Sequence, residues 1–226
     1  MPKIFPTYEF EAEKLRGGFK HIVGVDECAR GCLWGSVVAA AVYIPEENVD
    51  KLLNKVHDSK QLSAKRRDEL SELIKENCKY GIGEIGPDVI DDINILRATE
   101  QAMALALSKL YTDSGINYDC VLIDGTIELP MVIEYQEKVI KGDATVLSIA
   151  AASIIAKTYR DNKILLSSNV DYYNIWDIGS NKGYGTKKHI DAIKTYGLDK
   201  LHRKTFGICK DYIKNKEKNG CNIKPK

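Results

Sequence analysis

The chain has 226 residues, enough to bury one sizeable core, and a single domain is the expectation at that length. Its formal net charge of +1 excludes the strongly basic class of nucleic-acid binders, while leaving room for local basic patches on a near-neutral enzyme. Cys28, Cys32, Cys78, Cys120, Cys209 and Cys221 form no Cys-x-x-Cys pair, which argues against a zinc cage or a dithiol redox motif.

Residues 1–20 are polar and charged, read as a short arm or helix with Tyr8, Phe10 and Leu15 as docking points, and do not resemble a signal peptide. No apolar run is long enough to span a bilayer, so a soluble, cytoplasmic protein with reduced thiols is expected. Residues 20–26 form the first strand, which ends in Asp26 and Glu27 before the bend Cys28-Ala29-Arg30-Gly31. Alternate strand residues point to opposite faces, so these two acids can converge only where the strand stops. Residues 34–44 read as a second strand from Trp34 to Ile44. Ser63 is positioned to cap a helix from Ala64 to Asn77. A third strand covers 78–86, and Pro87 opens a helix over roughly 88–110. Cys120 to Ile123 is a short buried strand followed by Asp124, and Glu137 to Ile140 a weaker one followed by Lys141-Gly142-Asp143. A small-residue helix from Ala144 to about Leu166 comes next, then an irregular polar stretch over 167–181. The motif Lys182-Gly183-Tyr184-Gly185-Thr186 precedes a helix from Lys187 to Tyr196, and a basic stretch begins at His202.

This order predicts an α/β fold: a mixed five-stranded sheet flanked by helices, the first three strands antiparallel and the later ones parallel to the first. A small helical C-terminal extension would follow. Functional groups gather at carboxyl ends of strands in such sheets, and Asp26, Asp124 and Asp143 each follow an apolar strand. Together with Glu27 they cannot all ionise in one place without a cation. Carboxylates alone favour a hard divalent ion, Mg²⁺ or Mn²⁺. A pair of such ions about 3.5–4 Å apart would serve an in-line phosphoryl displacement. On strand ends alone, a set of solvated surface acids fits as well.

Several motifs decide between these readings. Gly24-Val25-Asp26-Glu27-x-x-Arg30-Gly31 resembles the opening motif of the type 2 ribonuclease H family (RNase HII). So do Asp58-Ser59-Lys60-x-Leu62-Ser63, Ile93-Asn94-Ile95-Leu96-x-Ala98-Thr99 and Ile123-Asp124-Gly125. Lys141-Gly142-Asp143, with the alanine-rich run Ser148 to Lys157, and Lys182 to Thr186 complete the series in family order. The last two resemble the bacterial branch most.

The resemblance implies a ribonuclease H-like catalytic domain over 21–200, an arm over 1–20 and a basic helical extension and tail over 201–226. It implies hydrolysis of the RNA strand of RNA–DNA hybrids and nicking at single ribonucleotides in duplex DNA. The products carry 3′-hydroxyl and 5′-phosphate ends, as in ribonucleotide and primer removal. Asp26, Glu27, Asp124 and Asp143 match the catalytic, metal-binding carboxylates. Ala29, Arg30 and Gly31 match a Gly-Arg-Gly turn that senses the 2′-hydroxyl with help from the tyrosine at Tyr184. Ser59 and Lys60 match a backbone-contacting motif, and Lys182, Thr186, Arg203 and Lys204 are further expected nucleic-acid contacts.

Ala29, Cys32 and Trp34 depart from the family pattern. Ala29 is tolerable if its φ stays below zero. Trp34 could be exposed, packed or in contact with a base or sugar. Asp161 lies about 27 Å along a straight helix from Asp143 and is expected to pair with a cation elsewhere. His57, His189 and His202 are expected to face solvent. Two other readings are a type 3-like ribonuclease H with general hybrid cleavage and a non-catalytic hybrid-binding module. The first would need an extra N-terminal domain for which about twenty residues leave no room, and the second is disfavoured by the full set of carboxylates. A monomer is expected.

Overall fold

The computed structural model describes residues 5–57, 59, 62–131, 133–168 and 171–218. Its elements run α1 (Glu9–Arg16), β1 (Ile22–Cys28), β2 (Val37–Tyr43), α2 (Val49–Leu52), α3 (Ala64–Asn77), β3 (Lys79–Ile85) and α4 (Pro87–Ser114). Then follow β4 (Cys120–Asp124), β5 (Tyr135–Val139), α5 (Gly142–Thr145), α6 (Leu147–Ser168), α7 (Ile178–Asn181), α8 (Lys187–Tyr196) and α9 (Gly207–Lys218). The sheet order is β3-β2-β1-β4-β5. β2 is antiparallel to β1 and to β3, whereas β4 is parallel to β1 and to β5, so the mixed five-stranded sheet is the one expected.

Period-two alternation divides the core. Val23, Val25, Ala39, Ala41, Val121 and Ile123 face α4, where Ala98, Ala102, Met103 and Ala106 meet them. Val38, Ala40 and Val42 face α6, through Leu147, Ala151 and Ile155. Both helices approach so closely that some strand positions tolerate no side chain. A Cβ on Gly24 would lie 2.3 Å from the carbonyl carbon of Ser148, and one on Gly83 only 1.9 Å from the Ala102 oxygen.

Three boundaries differ from expectation. β2 begins at Val37 because Gly35 has a φ of 80°, which takes the chain out of extended geometry; Trp34 instead forms an isolated bridge with His202. The helix after Pro87 extends to Ser114 but is broken at Asn94, with a φ of 69°. The Asn94 Oδ1 accepts from the amides of Leu96 and Arg97, capping the second segment as the first ends. The helix expected from Ala144 is divided at Val146, whose extended backbone bridges Thr7.

That bridge docks the N-terminal arm. The Thr7 amide donates to the Thr145 carbonyl and the Leu147 amide to the Thr7 carbonyl, each at 3.0 Å. The buried Glu11 accepts from the Ser148 amide at 2.8 Å, putting a carboxylate in the first turn of α6. Tyr8, Phe10 and Leu15 pack on the core, as the sequence predicts. At the other end α8 and α9 enclose a smaller core around Trp34 and Trp176. Among the described residues no helix is long and apolar enough to cross a membrane.

Since nothing at Gly83 can move away except backbone, Gly83→Ala is expected to destabilise the protein by about 1–3 kcal/mol. A lower urea midpoint at unchanged slope would register it.

Candidate active site

Alternation also selects which acids meet. On β1, Gly24 and Asp26 share the α6 face while Val23, Val25 and Glu27 share the α4 face. On β4, Leu122 and Asp124 lie on the α6 face, and the parallel register Gly24↔Leu122, Val25↔Ile123 brings Asp124 alongside Asp26. The third acid comes from a turn. Lys141 takes a left-handed φ of 57° and Gly142 starts α5, so that Asp143 sits in its first turn. The Gly142 amide donates to Asp124 Oδ1 at 2.7 Å, and a Cβ there would lie 2.6 Å from Ile149 Cδ1. One oxygen each from Asp26, Asp124 and Asp143 can come within 4.8 Å of the others.

The electrostatics follow from this crowding. Burial, then the charges of Glu27 and Asp124, push Asp26 well above the usual carboxylate range. Glu27 stands on the other face, where Arg30 Nη1 lies 3.4 Å from its Oε1. Burial raises its pKa, Arg30 opposes this, and the charge of Asp124 raises it further. Clustered carboxylates that resist ionising fit a hard divalent cation such as Mg²⁺ or Mn²⁺, which relieves the repulsion. Asp26 is also supported from behind: Ser153 hydrogen-bonds to it and shares a 2.8 Å contact with Ser59. Ser59 is thus buried beneath the carboxylates rather than presented to solvent, a correction to its expected role as an exposed phosphate contact. Lys60 lies outside the described residues.

The segment 29–36 follows β1 and is held almost wholly through its main chain. Arg160, on α6, donates to the carbonyls of Trp34, Ser36 and Lys182. Arg203 donates to those of Arg30 and Gly35, each at 2.9 Å. Leu33 receives the Arg203 amide and donates its own to Gly183. Gly183 combines a φ of 82° with an approach to the Trp34 carbonyl that leaves 2.5 Å for a Cβ. Arg203 is fully buried, so the expectation that it touches a duplex is overturned: its guanidinium is consumed in holding this segment. Lys204 remains exposed, with its amide on Asp91 Oδ2.

Ala29 has a φ of 71°, against the condition set for it, and its side chain is buried. Arg30 and Gly31 are exposed beside it. Tyr184 is 41% exposed, with Lys157 Nζ 5.6 Å from its ring centre, and burial of its hydroxyl end beside Cys32 pushes the phenol up to about 12. Lys182 is half-buried with a φ of 53°, and burial lowers its pKa. Thr186 caps α8 by accepting from the His189 amide. Asp161 pairs with Lys157 at 2.8 Å and Arg67 at 3.2 Å, away from the carboxylates as expected.

The histidine expectation fails. His189 and His202 are fully buried and His57 nearly so. Trp34 is packed, its Nε1 donating to Asp199 Oδ1 at 3.0 Å. Arg160, Ser153 and Asp199 were not singled out from sequence. Their only early signal is polarity among residues the core requires to be apolar.

The chain matches the family model described as Ribonuclease HII over residues 23–209. Ribonuclease HII of Syntrophobacter fumaroxidans is 45% identical over 199 residues, covering 88% of this chain and 81% of that one. Ribonuclease HII of Endomicrobium trichonymphae is 42% identical over 207 residues, covering 91% and 94%. Among solved structures, the ribonuclease H2 from Pyrococcus horikoshii OT3 superposes with a TM-score of 0.71 at 24% identity, covering 88% of this chain and all of that one. Bst-RNase HIII in complex with Mn²⁺ gives 0.67 at 18% identity, covering 88% and 70%. The two structures share the fold.

Because the folded pKa of Asp26 exceeds its unfolded value of about 3.9, its favourable contribution exists below that value and is lost as pH rises through the folded pKa. In chelator, Asp26→Asn is therefore expected to be more stable than the parent near pH 8 and to lose that advantage near pH 4. Added Mg²⁺ should raise the parent's midpoint more than the variant's.

Proposed function

The chain belongs to the ribonuclease HII family, metal-dependent endonucleases that hydrolyse RNA in RNA–DNA hybrids, and we propose that it nicks duplex DNA on the 5′ side of single embedded ribonucleotides. The observation that carries this reading is the convergence of Asp26, Asp124 and Asp143 beside the turn 29–31. In it these three residues would hold the ions, and Glu27, beside Arg30, would complete the set. Bound Mg²⁺ or Mn²⁺ would supply an activated water and neutralise charge on the scissile phosphate, giving 3′-hydroxyl and 5′-phosphate ends.

The chain's own residues do the rest. The Gly142 amide holds Asp124 through its Oδ1, and Ser153 fixes Asp26. Main-chain groups of Ala29, Arg30 and Gly31 read the 2′-hydroxyl, which a side chain would do less rigidly. Tyr184 stacks on the sugar, with Lys157 beside its ring. Lys182, Lys204 and the backbone at the start of α8, near Thr186, meet phosphates. The reading extends to a cytoplasmic monomer working in DNA repair and replication.

A second reading, broader cleavage of long hybrids, is favoured at one point by the left-handed φ of Ala29, which an alanine side chain strains. One assay separates them. Mg²⁺- or Mn²⁺-dependent nicking of a duplex with a single ribonucleotide is expected, and Asp124→Asn should abolish it. Binding without nicking under either metal would sink the enzyme reading. Ala29→Gly should raise cleavage of the single-ribonucleotide duplex relative to a long hybrid several-fold; an unchanged ratio would remove the turn from recognition.

A further inference from the structure

The buried polar groups between Trp34 and Tyr184 form one continuous chain of hydrogen bonds. Trp34 Nε1 donates to Asp199 Oδ1 at 3.0 Å, and the Leu201 amide donates to the same oxygen at 3.0 Å. Asp199 Oδ1 lies 2.6 Å from His202 Nδ1. His202 Nε2 lies 3.1 Å from His189 Nε2, and His189 Nδ1 lies 2.9 Å from the Tyr184 carbonyl oxygen. Asp199 is 7% exposed and both histidines are fully buried, so each group depends on these partners.

The protons can be placed from the far end. A carbonyl oxygen only accepts, so His189 Nδ1 carries a hydrogen. If His189 is neutral, its Nε2 offers a lone pair, and His202 Nε2 must donate to it. Burial and the neighbouring His202 depress the His189 pKa, which agrees with a neutral ring. At 2.6 Å two lone pairs would repel, so a proton also lies between His202 Nδ1 and Asp199. Two N–H donors already point at Asp199 Oδ1, so that oxygen joins Trp34 and the 199–201 loop to His202. The Asp199 amide also donates to Nδ1, at 3.0 Å. The ring of Trp176 lies 5.3 Å from that of His202 and packs edge-on against it.

We infer that Asp199, His202 and His189 form a positioning relay that ties Trp34, in the segment after β1, to the main chain of Tyr184. The Tyr184 carbonyl takes one further bond, from the Thr186 amide at 2.8 Å, and its amide donates to Asn181. Trp34 in turn gives its carbonyl to Arg160. The relay thus fixes the spacing between the turn 29–31 and Tyr184, the two elements that would flank one ribose. Its functional half rests on the reading of Tyr184 as a sugar contact.

Two measurements test it. In ¹⁵N-histidine spectra of the whole protein near pH 8, His189 should show a protonated Nδ1 and His202 a protonated Nε2. A His202 Nε2 without its hydrogen in the parent would overturn the relay, whatever the variants do. In nicking assays on a single-ribonucleotide duplex, His189→Leu should raise KM about tenfold with kcat changed far less. His189→Asn, whose amide can donate to the same carbonyl, should restore most of the loss. Tyr184→Ala run alongside separates the two ideas. If it raises KM and His189→Leu does not, the relay has no positioning role. If Tyr184→Ala leaves KM at the parent value, the sugar contact falls and takes the relay's function with it, while the spectra still report whether the relay exists.

Discussion

Two buried guanidinium groups set the terms for this structure. Arg160 and Arg203 bring positive charge into places where water cannot follow, and burial holds Arg203 down to about 10. Such a charge persists only if most of its donors are matched, and here main-chain carbonyls of 30–36 and of Lys182 match all of them but Arg203 Nη2. The segment after β1 has no regular secondary structure to satisfy its carbonyls, and the arginines have no other buried acceptors among these contacts. Each needs the other. An irregular loop thereby gains a rigidity that strands and helices ordinarily supply, and the groups it presents to solvent keep fixed positions.

The carboxylates depend on a different constraint, the close approach of helices to the sheet. Gly24 lets α6 lie against β1, and that same face carries Asp26 one pleat later. The small residues of α6 thus serve packing and chemistry together, since Ser153 reaches Asp26 only because the helix is near. Repulsion among the acids runs against folding, and the apolar contacts on both faces of the sheet hold them together regardless.

Much of this was legible beforehand, and the physical reason is periodicity. Strand alternation gave the sheet, its directions and the acids at β1 and β4, and Ser63 and Pro87 marked their helix starts. What escaped had no local pattern. A buried His202 looks like any polar histidine in sequence, and its partners arrive from Asp199, His189 and Trp176, three separate elements or loops. Arg203 sits in a basic run, where charge alone argues for the surface. Ser59 carried the right motif but lies on the inner side of its loop. The break at Asn94 was hidden because its neighbours keep the helical stripe, and only the side-chain cap reveals it.

The arm at the start of the chain bears on the order of events during synthesis. Glu11 and Ser148 are 137 residues apart, and the Thr7 bonds grip Thr145 and Leu147, just beyond the turn that carries Asp143. The ribosome releases the arm early, but its docking surface emerges only after most of the chain has been made. Contacts of such long range close late in folding. The third acid is therefore anchored only once the chain has passed Ser148, and until then a nascent chain carries an incomplete set of carboxylates.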